Sequence, residues 1–142
     1  MKRRDFLLAS SAVGASAFFS SLPLLGATRP EKQKLGVALV GLGYYSTDLL
    51  APALQLTEKC YLAGIVTGTP SKAESWKLKY NIPEKNIYNY QNFDDIANNP
   101  DIDIVYVVLP PSMHKEFSVR AANAGKHVFC EKPMAPSVAY CE

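Results

Sequence analysis

The sequence predicts an α/β fold in which a parallel sheet is covered by helices on both faces, and three features of its 142 residues point there. Short apolar runs recur along the chain, stretches of helical length separate them, and a glycine turn directly follows the first run. Runs that are apolar throughout, with no alternation, mark strands buried on both sides. Strands of that kind joined through helices take right-handed parallel crossovers, so the arrangement expected is Rossmann-like.

Leu35 to Val40 forms the first run, and Gly41-Leu42-Gly43 ends it. A helix is expected from about Ser46 to Thr57, with Leu49, Leu50, Ala53, Leu54 and Leu56 as its apolar stripe. Pro52 falls inside that helix and predicts a loosened turn or a kink. Tyr61 to Thr67 is rich in β-formers and reads as the second strand. Ser71-Lys72-Ala73-Glu74 has the S-x-x-E capping-box form, so a helix should open there and run to about Tyr80 before Asn81-Ile82-Pro83 stops it. Ile87-Tyr88 suggests a very short strand, and Phe93 to Asn98 a short helix. Ile104 to Leu109 is the clearest interior strand. A helix from about His114 to Ala124, with Gly125 as its cap, leads to a fifth strand, His127 to Cys130, and a last turn begins near Ser137.

Charge excludes one class of partner. The formal net charge of +2 arises entirely within residues 1–27, where Lys2, Arg3 and Arg4 face only Asp5; residues 28–142 carry twelve basic and twelve acidic side chains. A nucleic-acid partner attracted by overall charge is therefore not expected. Cys60, Cys130 and Cys141 are odd in number and lack C-x-x-C spacing, so no disulfide framework or metal site is predicted, only buried or half-buried thiols.

Residues 1–27 read as a targeting segment. Two adjacent arginines precede Phe6-Leu7-Leu8 and a small-residue-rich apolar stretch, the form of a twin-arginine signal peptide. Phe6 to Ala27 is also just long enough for an uncleaved membrane anchor, although five serines, Gly14 and Pro23 dilute it. A periplasmic protein, exported by the Tat machinery with a candidate cleavage site after Ala27, is the expectation; residues 28–142 are the expected folded domain.

The chemistry is expected at the carboxyl ends of the strands. Gly41-Leu42-Gly43-Tyr44-Tyr45-Ser46 is a G-x-G-x-x-S variant of the dinucleotide fingerprint, in which the first glycine permits the turn, the second admits a pyrophosphate, and Ser46 replaces the third. The helix that follows offers free amides to the phosphates. At the end of the second strand, where an acid would accept the ribose hydroxyls of NAD, stands Thr67-Gly68-Thr69, with no acid between Glu58 and Glu74. NADP is therefore expected over NAD, with Lys72 either meeting the 2′-phosphate or remaining a solvated lysine. Leu109-Pro110-Pro111 makes a rigid exit from the fourth strand, and His114 beyond it either touches the cofactor or caps its helix. After the fifth strand, Glu131-Lys132-Pro133 presents a lysine able to stabilise a developing alkoxide, or to form a salt bridge with Glu131 or another acid.

The segments GLGYY, TGTPSKA, IYNYQNF and DIVYVVLPPSMHKEFSVRAANAGKHVFCEKPMAPSVA together resemble the N-terminal NAD(P)-binding domain of the Gfo/Idh/MocA oxidoreductases, most of all the glucose-fructose oxidoreductase branch. The resemblance covers about residues 33 to 142. It implies a tightly held NADP(H) and hydride transfer at a sugar carbon. By it, Gly41, Leu42, Gly43, Tyr44 and Tyr45 line the pyrophosphate turn, while Thr67, Gly68 and Lys72 surround the 2′-phosphate. Tyr90 stands near the adenosine end, Leu109, Pro110 and His114 run along the nicotinamide ribose, and Glu131 and Lys132 belong to the motif whose lysine is catalytic. Pro111 departs from the Asn frequent in relatives. The family's C-terminal sheet domain, which shapes the sugar pocket and most assembly surfaces, lies outside these residues. The chain is thus expected to be the cofactor-binding portion of a sugar oxidoreductase, homo-oligomeric or not, or else a dinucleotide-binding module without catalysis.

Overall fold

The computed structural model describes residues 32–141. The predicted leader, residues 1–27, lies outside them.

Strands β1 (Leu35–Val40), β2 (Cys60–Val66), β3 (Ile87–Tyr88), β4 (Ile104–Val107) and β5 (His127–Cys130) form a parallel sheet in the order β3-β2-β1-β4-β5. β1 is central because it is apolar in both directions. Val37 and Leu39 enter one core with Leu42, Ala51, Ile65 and Trp76, while Ala38 and Val40 enter the other with Phe93, Val105, Val107 and Phe117. A π-helical turn, Tyr45–Leu50, continues into α1 (Ala51–Leu56); α2 (Pro70–Tyr80) follows β2, and α3 (Pro111–Asn123) follows β4. Phe93–Asn98 is a 3-10 helix, and so is Val138–Tyr140.

Four local expectations are corrected. Pro52 cannot donate to the carbonyl four residues back, and the helix widens before it: the Ala51 amide bonds Ser46, five residues back. That extra residue shifts the helical phase. Ser46 and Ala51 are buried and Leu50 and Leu54 half-buried, whereas Leu49, Ala53 and Leu56 of the predicted stripe face solvent. The capping box at Ser71 does not form, because Pro70 occupies the first helical position and starts α2 one residue earlier. Likewise Pro111, with φ preset for a helix, starts α3 three residues ahead of His114. Of the cysteines, Cys60 and Cys130 are half-buried but Cys141 is exposed, directly after a turn none of whose residues is buried.

The sheet carries one irregularity. Val37 pairs with Leu62 but Ala38 pairs with Gly64, so Ala63 is an extra residue in β2. Its carbonyl is satisfied by the buried Asn86 amide at 2.8 Å, and Asn86 in turn accepts from Asn99, which also donates to the Tyr88 hydroxyl. Coverage of the sheet is less complete than predicted at β5, where Phe129 is 57% exposed.

Candidate functional site

Strand order reverses between β1 and β4: β1 leads by way of α1 to β2 on one side, and β4 lies on the other. In open α/β sheets the crevice beyond the carboxyl ends at such a point is where ligands bind. The predicted residues come from five connections, one after each strand.

The first connection is built almost entirely from backbone. The Gly41 amide donates to Val66 at 3.0 Å, and Gly41 turns with φ +94°; a Cβ there would lie 2.9 Å from both Leu109 Cδ2 and the Val108 oxygen. Only glycine fits this position without strain. Ser46, fully buried, donates its hydroxyl to the Gly41 oxygen at 2.6 Å. It therefore ties the helix to the turn in the place where a third glycine would pack. Thr47 closes the turn with both its amide and its hydroxyl on the Gly43 oxygen, at 3.0 and 2.8 Å. Gly43 itself faces open space, with no heavy atom within 4 Å of where its Cβ would stand. Leu42 points inward, while Tyr44 and Tyr45 are exposed beside the turn.

At the end of β2, Thr67 is buried, and its hydroxyl accepts the Thr69 amide at 3.2 Å. Gly68 lies against the Tyr90 ring so closely that a Cβ would stand 2.9 Å from Cε2. Lys72, in the first turn of α2, reaches back to donate to the Leu42 oxygen at 3.0 Å. It thereby places an ammonium between the two connections, beside a cleft of about 310 Å³ lined by Leu42, Gly43, Tyr44, Thr47, Asp48, Lys72, Ser75 and Trp76.

The connections after β4 and β5 converge on Glu131. Leu109 is buried and Pro110 exposed at the exit of β4. His114 is 1% exposed and neither caps α3 nor stands free: Nε2 lies 2.6 Å from the Leu109 oxygen and Nδ1 2.9 Å from the Pro133 oxygen. The imidazole thus braces the β4 exit against the segment after β5, where the Lys132–Pro133 peptide is cis. Glu131 is held by its own amide on the Val107 oxygen at 3.0 Å, and its Oε1 accepts the Tyr106 hydroxyl at 2.5 Å. That hydroxyl, followed by the Lys132 amide and nearby positive charge, keeps the Glu131 carboxyl below its ordinary range. Burial first, then the bond to Glu131, pushes the Tyr106 phenol far above its usual value, with Tyr45 adding to the rise. Lys132 gives Glu131 only its amide, at 3.2 Å; its ammonium is exposed and forms no ion pair among the described residues.

Two contributors were not predicted. The sequence places Tyr106 in a strand and Arg120 in a helix and marks neither as a site residue. The one hint for Tyr106 is a hydroxyl in an otherwise apolar run; for Arg120 the sequence shows only the Glu116 pair four residues back, while Asp94 and Tyr90 lie 26 and 30 residues away.

The donor set fits a nicotinamide dinucleotide. The first turn of the helix leaves amides without intrahelical acceptors, the missing Cβ of Gly43 gives a phosphate close approach, and a lysine stands beside them. Such a site on such a sheet defines a dinucleotide-binding Rossmann domain.

The comparisons give that class a family. The profile of the Gfo/Idh/MocA family, described as an oxidoreductase family with an NAD-binding Rossmann fold, matches residues 35–142, and the chain belongs to that family. An aldose-aldose oxidoreductase from Caulobacter crescentus, solved with glycerol, is 53% identical with TM-score 0.74 over 76% of this chain and 32% of its own. A scyllo-inositol dehydrogenase from Lactobacillus casei, solved with NAD(H) and scyllo-inositol, is 27% identical with TM-score 0.65 over 75% of this chain and 30% of its own. A 3-ketoreductase from Actinomadura kijaniata, solved with TDP-benzene and NADP, is 25% identical with TM-score 0.65 over 75% and 32%. The chain spans about a third of the length of these relatives. The family binds nicotinamide dinucleotides, and its solved members include both NAD and NADP complexes.

Proposed function

We propose that the chain is the NADP-binding portion of an exported sugar oxidoreductase of the glucose-fructose oxidoreductase kind, with residues 1–27 as a twin-arginine leader and the periplasm as destination. The observation that carries the cofactor reading is the Lys72 ammonium, drawn to the Leu42 oxygen where no acid stands between Glu58 and Glu74. A 2′-phosphate placed beside Thr67 and Gly68 meets a cation and helix amides there, with no carboxylate on that strand end to repel it. The Caulobacter aldose-aldose oxidoreductase, over half identical across the shared region, supports a sugar as substrate class.

When bound, the nicotinamide ring supplies the hydride acceptor or donor. The residues of this chain do the rest of what lies on this side of the site. Gly41 and Gly43 admit the pyrophosphate, Tyr90 flanks the adenosine end, and His114 holds the β4 exit against Pro133. Lys132, its ammonium free at the end of β5, donates a hydrogen bond to the substrate oxygen and steadies the charge that develops on it.

The test is a fluorescence titration of the purified chain with NADPH and NADH. Enhancement with both, saturating at lower concentration for NADPH, is the expected outcome. No response to either nucleotide from folded protein overturns the dinucleotide reading, and tighter NADH binding overturns the NADP assignment. Export is tested separately by replacing Arg3 and Arg4 with lysine, which should leave the protein in the cytoplasm.

A further inference from the structure

The most heavily bonded side chain among the described residues belongs to Arg120, to which no role has been assigned above. It stands on α3 with its side chain only 22% exposed. Nε and Nη2 form a fork onto the Asp94 carboxylate at 2.9 and 3.1 Å. Nη1 also donates to Glu116 at 3.1 Å, and Nη1 and Nη2 both donate to the backbone oxygen of Tyr90 at 3.2 Å. These contacts use all five donors of the guanidinium. Its carbon lies 4.9 Å from the Phe93 ring centroid and 5.0 Å from that of Phe117.

An ion pair alone would satisfy the charge. The two bonds to Tyr90 do something further, because they anchor a loop residue whose ring lies against Gly68 at the carboxyl end of β2. The loop is otherwise tied to itself: Asn89 Oδ1 accepts the Gln91 and Asn92 amides, and Asn92 Oδ1 accepts the Asn89 amide. From the anchored backbone the Tyr90 ring packs edge-on against Phe117, at 5.4 Å and 60°, and rests on Gly68. Its hydroxyl makes no hydrogen bond among the described residues, and the residue is half-buried, so one edge remains available to a ligand.

We propose that Arg120 is a positioning residue for the adenosine end of the cofactor site, acting through Tyr90. This rests on the NADP reading above and adds to it a determinant thirty residues from the ring it sets. Arg120 fixes where the Tyr90 backbone sits, Phe117 fixes the tilt of the ring, and Gly68 leaves the room it fills. Affinity for the phosphoadenosine half of the ligand then depends on Arg120, while affinity for the nicotinamide half, bound near Leu109 and Glu131, does not.

The experiment measures binding of 2′,5′-ADP and of reduced nicotinamide mononucleotide to the full chain and its variants. Arg120→Met keeps a long apolar side chain on α3 but removes every donor and the cation over Phe93 and Phe117; it should weaken 2′,5′-ADP about tenfold and leave the mononucleotide unchanged. Asp94→Asn, which keeps the guanidinium but loosens its aim, should weaken 2′,5′-ADP about threefold with the same selectivity. In a cycle with Tyr90→Ala, the loss from Arg120→Met should nearly vanish, because the residue through which it acts is gone. Unchanged 2′,5′-ADP affinity in folded Arg120→Met, equal losses for both fragments, or additive losses in the cycle each overturn the proposal. If Arg120→Met does not fold, the Asp94→Asn selectivity decides. Wild-type protein that binds neither fragment defeats the NADP reading itself, a result distinct from wild-type binding with indifferent variants.

Discussion

The two halves of the crevice are held by different means. Around Gly41 the wall is main chain, fixed by a positive φ, a buried serine on a carbonyl and amides aimed outward. Around Glu131 it is side chain on side chain: Tyr106 on the carboxylate, His114 between two carbonyls, and an exposed Lys132 beyond. A main-chain site recognises what every dinucleotide shares, its diphosphate, and is indifferent to most substitutions other than those at glycine. A side-chain site can be tuned residue by residue and titrates with pH. On the proposed reading, the part of the fold that grips the diphosphate is thus separated from the part that carries Lys132.

The largest effects should come from the glycines, and two of them should break in different ways. Gly41→Ala meets backbone and Leu109 within 2.9 Å at a strained φ, so it should cost about 1–3 kcal/mol of stability and binding together. Gly43→Ala meets nothing, so its melting temperature should stay near wild type while NADPH affinity falls roughly tenfold or more through lost amide–phosphate bonds. Thermal unfolding and fluorescence titration on the pair check this. Equal stability losses would show that the turn is not the open cradle described.

The grip was legible in the sequence to a degree that the reacting end was not. A strand buried on both faces has to be apolar throughout, so β1 and β4 are visible as runs, and a glycine between such a run and a helix has few alternatives to a tight turn. The same locality explains the predicted places of Thr67, Gly68 and Lys72. Reading failed where one local signal overrode another. Pro70 pre-empted the capping box at Ser71, and Pro52 widened the preceding turn and rotated the face that α1 buries. It also failed where partners are distant. No spacing rule connects Tyr106 to Glu131, or Arg120 to Tyr90, and the full burial of His114 follows from Pro133, nineteen residues on.

On the main-chain half stands Lys72, a side chain that reaches back to the Leu42 oxygen. Lys72→Ala should lower the ratio of NADPH to NADH affinity about tenfold, mostly by weakening NADPH. Because the residue is exposed, raising the salt concentration should narrow the difference between wild type and variant. An unchanged ratio would move the discrimination elsewhere, with Tyr90 and its surroundings the next place to look.

The smallest effect expected is at Tyr106, and its sign is set by the carboxylate it holds. Glu131 is depressed in the folded chain, chiefly by the Tyr106 hydroxyl, so its contribution to stability is present above the unfolded carboxyl value of about 4.3 and is lost as pH falls through the folded one. Tyr106→Phe removes that hydroxyl and should cost about 1 kcal/mol near pH 7. The deficit should shrink as the pH drops below about 4.3, where Glu131 becomes protonated in the unfolded chain and the bond no longer favours a charged partner. Melting curves of the two proteins from pH 7 to pH 3 should therefore converge. A constant gap would mean that the hydroxyl contributes independently of the Glu131 charge, since the ring that packs edge-on against Phe129 is kept in the variant.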